Sequence, residues 1–277
     1  MLKCGNILFS TRGIPALFQT AMYSNFYFPD RINYDSPHRI GLAYDEVTFA
    51  STDGTMLWGW FIPARGKDAR EARGTVIHMH GNAQNLTAHW GFAEWIPDCG
   101  FNLFVFDYRG FGKSQGTPDP KGIFEDAVAA IDYARNRTDI ATDRLFVFGQ
   151  SLGGMLAIAS AAASPKGIRA VLAEAPAHSY SMWMNDRLPG AGDILDDTFT
   201  ASAHVARLAP IPLLLLHGTQ DRVVTYSHSV RLMTETNGPA DLVSIDNGEH
   251  VDAMTDRYGD RYRDMMMTFF EDALKKD

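Results

Sequence analysis

The sequence predicts an α/β fold: a mostly parallel twisted sheet with an antiparallel N-terminal hairpin and helices on both faces. Three observations carry that expectation. Short apolar runs recur at Thr75 to Met79, Leu103 to Phe106, Leu145 to Phe148, Ala170 to Ala173, Leu213 to Leu216 and Leu242 to Ile245. They are unbroken rather than alternating, which suits strands covered on both faces. Helix-length stretches separate them, and strand then helix, repeated, builds parallel strands joined by right-handed crossovers. The 277 residues are 45% hydrophobic and 21% charged, so one large domain can stand without disulfides or a structural metal.

Taken in order, residues 1–40 are an apolar and aromatic segment, and residues 41–277 are the main domain. The apolar stretch from Ile7 to Phe28 is interrupted by Arg12, Gly13, Pro15 and Gln19. It therefore falls short of the roughly 20 uninterrupted apolar residues that span a bilayer. Its Tyr23, Phe26, Tyr27 and Phe28 have two expected uses, peripheral membrane contact or packing against the body of the same chain. The second is favoured, because exposed aromatics are costly to leave in water. Glu46 to Phe49 and Leu57 to Ile62 flank Asp53-Gly54, a dipeptide that tolerates positive φ and turns hairpins. Arg65 to Arg73 reads as a solvated loop. Gly122 to Asn136 carries Phe124, Val128 and Ile131 at helical spacing, and Leu152 to Ala163 is so uniformly small and apolar that it must be a buried helix. Between the runs ending near Glu174 and starting near Leu213 lie about forty residues, long enough for a lid or inserted subdomain. Residues 176–209 are therefore expected to form a small cap. Its Tyr180, Trp183, Met184 and Leu188 are expected to line a substrate pocket.

Composition removes several function classes. A net charge of -8 opposes attraction to nucleic acid phosphates. Cys4 and Cys99 show no paired metal-ligand or redox spacing, so no metal or cofactor is expected. They fit a reducing, cytoplasmic compartment, with the N-terminal segment as the one candidate for peripheral membrane contact.

Chemistry enters at Gly149-Gln150-Ser151-Leu152-Gly153, directly after one apolar run and directly before the buried helix. This G-x-S-x-G pattern in strand-to-helix context is a nucleophile elbow, where the serine takes a strained conformation and glycines let strand and helix approach. A serine hydroxyl needs a base within hydrogen-bond reach, itself oriented by a carboxylate. Asp221 follows the run Leu213 to Leu216, and His250 follows the last run. Glu174 is an alternative acid.

The segments His80-Gly81-Asn82-Ala83, Asp107-Tyr108-Arg109-Gly110-Phe111-Gly112-Lys113-Ser114, Gly149 to Gly153, His217-Gly218-Thr219-Gln220-Asp221 and Gly248-Glu249-His250 together resemble the α/β-hydrolase superfamily. More narrowly, they look like the branch of serine hydrolases with acyl-protein thioesterases and related membrane-associated esterases. The resemblance runs from about Tyr44 to the C-terminus. It implies that Ser151 is acylated, that His250 shuttles the proton and that Asp221 holds the useful tautomer. It also implies an oxyanion hole made by the backbone N–H groups of Leu152 and Asn82, with Ala83 the weaker choice for the second. His80 and His217 are expected to shape turns, and Asp107, Arg109 and Ser114 to brace neighbouring loops. The expected activity is hydrolysis of small-molecule esters or thioesters through an acyl-enzyme. The alternatives are a serine peptidase or amidase of the same fold, and a non-catalytic binding protein that retains it.

Overall fold

The computed structural model describes residues 21–275. Cys4 and the earlier part of the predicted apolar segment, from Ile7 to Gln19, lie outside the described residues. Eight strands form the main sheet: β1 (Asp45–Ala50), β2 (Met56–Ile62), β3 (Thr75–Met79), β4 (Asn102–Asp107), β5 (Leu145–Gln150), β6 (Ile168–Glu174), β7 (Leu213–Gly218) and β8 (Ala240–Ile245). Their spatial order is β1-β2-β4-β3-β5-β6-β7-β8. β2 runs antiparallel to β1 and β4, and every other neighbouring pair is parallel. After β3 the chain crosses to β4 on one side, then returns to β5 on the other. Such a reversal opens a crevice beyond the carboxyl ends of the strands, where ligands of α/β sheets bind.

The unbroken apolar runs divide between two faces by strand alternation. On one face Phe104, Phe106, Val147, Ala173 and Leu215 pack with residues of α1 (Pro120–Arg135) and α2 (Leu152–Ala163). On the other, Leu103, Val105, Phe146, Phe148 and Leu216 pack with the final helix. Asp119 caps α1 by accepting from the Gly122 N–H at 3.0 Å, and Pro120 occupies the first turn, where a missing N–H costs nothing. β8 is the exception to two-sided burial: it is an edge strand, half-exposed over most of its length.

The hairpin turn is wider than a two-residue connection. Pairing closes at Ala50 with Met56, Ser51 and Thr55 bond across the loop, and only Gly54 takes positive φ, at 86°. Asp53 instead accepts the Thr55 N–H at 3.0 Å. Two helices were not anticipated, α4 (Ser227–Glu235) and α5 (Arg261–Leu274). The buried residues of α5 include Tyr262, Met266, Phe270 and Ala273, a helical spacing that could have revealed it.

The stretch between β6 and β7 carries α3 (Tyr180–Arg187) and shorter helical turns. Phe26 and Tyr27 are buried, and both stand against the Tyr180 ring with centroids at 5.0 Å and 6.3 Å. Tyr23 stands edge-on to Tyr180 at 5.4 Å. These three rings pack on their own chain, while Phe28 is 57% exposed. No helix among the described residues is long and apolar enough to cross a membrane.

Candidate active site

The elbow is built by close approach. A Cβ at Gly149 would lie 2.1 Å from the Gly153 carbonyl oxygen, and one at Gly153 would lie 2.0 Å from that of Met79 at the end of β3. Only glycine lets β5 turn into α2 this tightly and lets α2 begin against the neighbouring strand. The turn forces Ser151 to φ 56° and ψ −117°, a conformation held by its surroundings. One such hold is the Ser151 N–H, which donates to the Glu174 carbonyl at 2.9 Å.

Ser151 Oγ stands 2.9 Å from His250 Nε2, and His250 Nδ1 stands 2.7 Å from Asp221 Oδ2. A carboxylate only accepts, so the imidazole proton sits on Nδ1 and the Nε2 lone pair faces the serine hydroxyl. Asp221 Oδ1 accepts the Val223 and Val224 N–H groups at 2.8 Å and 3.0 Å. Burial pushes the Asp221 carboxyl up, but hydrogen bonds from His217 and His250 outweigh that and hold it well below the usual carboxylate range.

His217 is therefore more than the turn-former expected from sequence. Its Nε2 lies 2.9 Å from the Val224 carbonyl and 3.3 Å from Asp221 Oδ2, both acceptors, while Nδ1 meets the Ser229 hydroxyl at 2.7 Å. The i,i+4 spacing of His217 and Asp221 was the available signal. Glu174 is not the partner of His250. Its two oxygens accept from the Ala253 N–H and from Gln150 Nε2, each at 2.7 Å, so it braces the histidine loop and the elbow from below. Burial raises its carboxyl to about 7, against the lowering effect of those two donors.

Leu152 is the first residue of α2, so its N–H is among those a helix leaves unpaired at its start. Asn82 lies in the loop after β3, whose first carbonyls, those of Met79 and His80, stand against Gly153 in the first turn of that helix. His80 is buried and contacts the Gly81 carbonyl through Nδ1 at 2.7 Å, and Tyr108 donates to the His80 carbonyl at 3.1 Å. Asp107, Arg109 and Ser114 brace loops as expected: Asp107 accepts the Leu86 N–H at 2.7 Å, and Ser114 accepts the Trp58 N–H at 2.9 Å.

Two of the four residues expected to line a substrate pocket are buried in packing contacts. Tyr180 is spent on the aromatic contacts above and on a 2.7 Å hydroxyl pair with Tyr27. Trp183 packs on Phe26 and donates to the Val223 carbonyl at 2.8 Å. Met184 is half-buried and Leu188 is exposed. Beside His250 opens a groove of about 430 Å³ lined by Gln220, Arg222, Val223, Glu249 and His250. The cap aromatics failed as pocket residues because the N-terminal segment covers them, a long-range pairing that no local pattern encodes. Among the described residues no cluster of His, Cys, Asp or Glu is arranged to hold a metal.

A family model described as serine aminopeptidase, S33, matches residues 70–203. The uncharacterized protein YfhR of Escherichia coli K12 is 43% identical over 251 residues, covering 90% of this chain and 87% of the relative. The α/β hydrolase domain-containing protein WAV2 of Arabidopsis thaliana is 31% identical over 236 residues, covering 78% of this chain and 75% of the relative. The chain belongs to the α/β-hydrolase superfamily. Solved structures agree on the fold of this hydrolase. The Pyrococcus furiosus esterase Pf2001 superposes with a TM-score of 0.72 at 20% identity, covering 90% of this chain and 98% of that one. Est1E of Butyrivibrio proteoclasticus, with ferulic acid bound, gives 0.69 at 20% identity, covering 83% and 100%.

Proposed function

We propose that this hydrolase cleaves carboxylic esters or thioesters of small molecules through a covalent acyl-enzyme on Ser151. The observation that carries the reading is the unbroken hydrogen-bonded line from Ser151 Oγ through His250 to Asp221, ending on a strained serine at the carboxyl edge of the sheet. Ser151 Oγ attacks the carbonyl carbon as its proton passes to His250 Nε2. The carbonyl oxygen gains negative charge, met by the N–H groups of Leu152 and Asn82, donors worth about 3 kcal/mol each when preorganised. Collapse breaks the bond to the leaving group, which takes the proton from His250. Water then attacks the acyl-serine carbonyl as its proton passes to His250; the bond to Ser151 Oγ breaks, His250 returns the proton to that oxygen, and the acid leaves. Asp221, ionised at every working pH, stabilises the imidazolium in both halves.

Purified enzyme is expected to release p-nitrophenol from p-nitrophenyl acetate and to take a fluorophosphonate label on Ser151. Ser151→Ala should lose the label and about 10³-fold or more in kcat. Labelling that survives in Ser151→Ala would end the reading.

A serine aminopeptidase is the second reading, favoured by the exposed Glu249 carboxylate in the groove beside His250, where a substrate's free amine could pair, and by the description of the matching family model. Aminoacyl p-nitroanilides compared with acyl esters separate the two.

A further inference from the structure

We propose that residues 26–30 act as a strap that orients the Asn82 peptide, so that a segment far from the triad in sequence positions one of the two oxyanion donors. The inference rests on the serine-hydrolase reading above. The strap and the loop after β3 meet as a short parallel ladder, Phe28 beside Ala83 and Pro29 beside Gln84. The Phe28 N–H donates to the Asn82 carbonyl at 2.8 Å, and the Asn82 side-chain amide donates to the Phe26 carbonyl at 2.9 Å. Two residues further on in each segment, the Asp30 N–H donates to the Gln84 carbonyl at 3.1 Å.

Asn82 is thus gripped at its carbonyl and at its side chain by the same foreign segment. The neighbouring peptide plane, which contains the Asn82 N–H, is held at its other end where His80 contacts the Gly81 carbonyl. With those groups anchored, the amide of residue 82 has little freedom of direction. The loop needs such outside support. Gly81 adds backbone freedom, and Gln84 has φ 59°, a left-handed conformation that a glutamine does not favour alone.

The strap has anchors of its own. Phe26 lies between Tyr180 and Trp183 with ring centroids at 5.0 Å and 5.1 Å. The Tyr27 hydroxyl meets that of Tyr180, and the Tyr23 hydroxyl accepts the Asp196 N–H at 2.6 Å. On the opposite end, Asn85 donates to Asp30 Oδ1 at 2.6 Å, and the Gly112 N–H donates to the Asp30 carbonyl at 2.9 Å. The side chain of Asn82 is therefore a positioning group, while its backbone N–H is the one that meets the substrate oxygen.

Two variants test this in the full chain. Asn82→Ala keeps the backbone N–H and removes the side-chain tie. Phe28→Pro deletes the donor to the Asn82 carbonyl, and Tyr27 already has φ −127° and ψ 124°, which a residue before proline adopts without strain. Phe28→Ala, which trims an exposed ring and keeps the N–H, is the control. The expected result is a kcat loss of about 10- to 100-fold in the first two, because a misdirected donor loses transition-state stabilisation. KM should stay within about twofold. Affinity for an alkyl boronic acid, whose tetrahedral adduct on Ser151 uses the same donors, should weaken in parallel, and Phe28→Ala should match the wild type. If Asn82→Ala does not fold, Phe28→Pro carries the test. Unchanged kcat and boronate affinity would overturn the strap role, as would a raised KM with kcat intact, the mark of a pocket wall. Wild-type esterase activity that Ser151→Ala abolishes, alongside unaffected strap variants, sinks the strap alone. An inert wild type sinks both it and the hydrolase reading.

Discussion

Glu174 is fully buried, accepts two hydrogen bonds and lies against Gln150, the residue before Ser151. Its carboxyl is raised from 4.5 to about 7, chiefly by burial. The folded state therefore holds this proton more tightly than the unfolded chain. Between the two values the native protein binds more protons, so stability falls as pH rises from about 4.5 through 7 and levels off above. In Glu174→Gln that loss is absent. The amide oxygen still accepts the Ala253 N–H, and its NH₂ group donates to Gln150 once that side chain rotates. His78 then receives the other end of Gln150; burial holds it neutral by lowering its pKa to about 3. Relative to wild type, the variant should gain roughly 3 kcal/mol of stability on going from pH 4.5 to pH 7. Urea unfolding across that range measures the difference, and parallel curves for the two proteins would refute the assignment.

The turn after β4 shows what one side chain does for an element. Arg109 bonds Asp126 on α1 through Nε and Nη2, reaches Asp53 in the hairpin loop at 2.9 Å and touches Ser51 at 3.2 Å. It thereby joins the hairpin, the exit of β4 and the first helix. Asp126 is fully buried, and burial pushes its carboxyl up even with the guanidinium beside it. Arg109→Met should cost about 3 to 5 kcal/mol, because it strands a buried carboxylate rather than merely removing an ion pair. Adding Asp126→Leu should recover part of that loss. Thermal or urea unfolding reads both, and a single variant within about 1 kcal/mol of wild type would contradict the argument.

Across the whole molecule, the strap and the stretch between β6 and β7 pack on each other, while the groove lined by Gln220, Arg222, Val223, Glu249 and His250 is open. With Tyr180 and Trp183 buried, about 0% and 2% exposed, they give no apolar channel for a long acyl chain. Among p-nitrophenyl esters of graded length, kcat/KM should peak at acetyl to butyryl groups. A peak at long chains would mean that the cap opens and that the packed aromatics are a closed state.

Several features of this protein are local and were readable as such. The six apolar runs marked six strands, five of them because two-sided burial leaves almost no polar positions, while the edge strand β8 was readable from its apolar residues alone. The glycines of the elbow were legible because strand and helix cannot meet there with a Cβ between them. Ser151, Asp221 and His250 stood in their loops after the expected strands. The antiparallel hairpin was legible at Asp53-Gly54, while its true turn shape was not. What only the tertiary structure decided is which distant surfaces pair. Phe26 and Tyr27 on Tyr180, Asn82 on the strap and Glu174 beneath the histidine loop all depend on segments brought together by the sheet. A side chain's composition states that it will be buried or bonded; its partner is chosen by the packing of the completed fold.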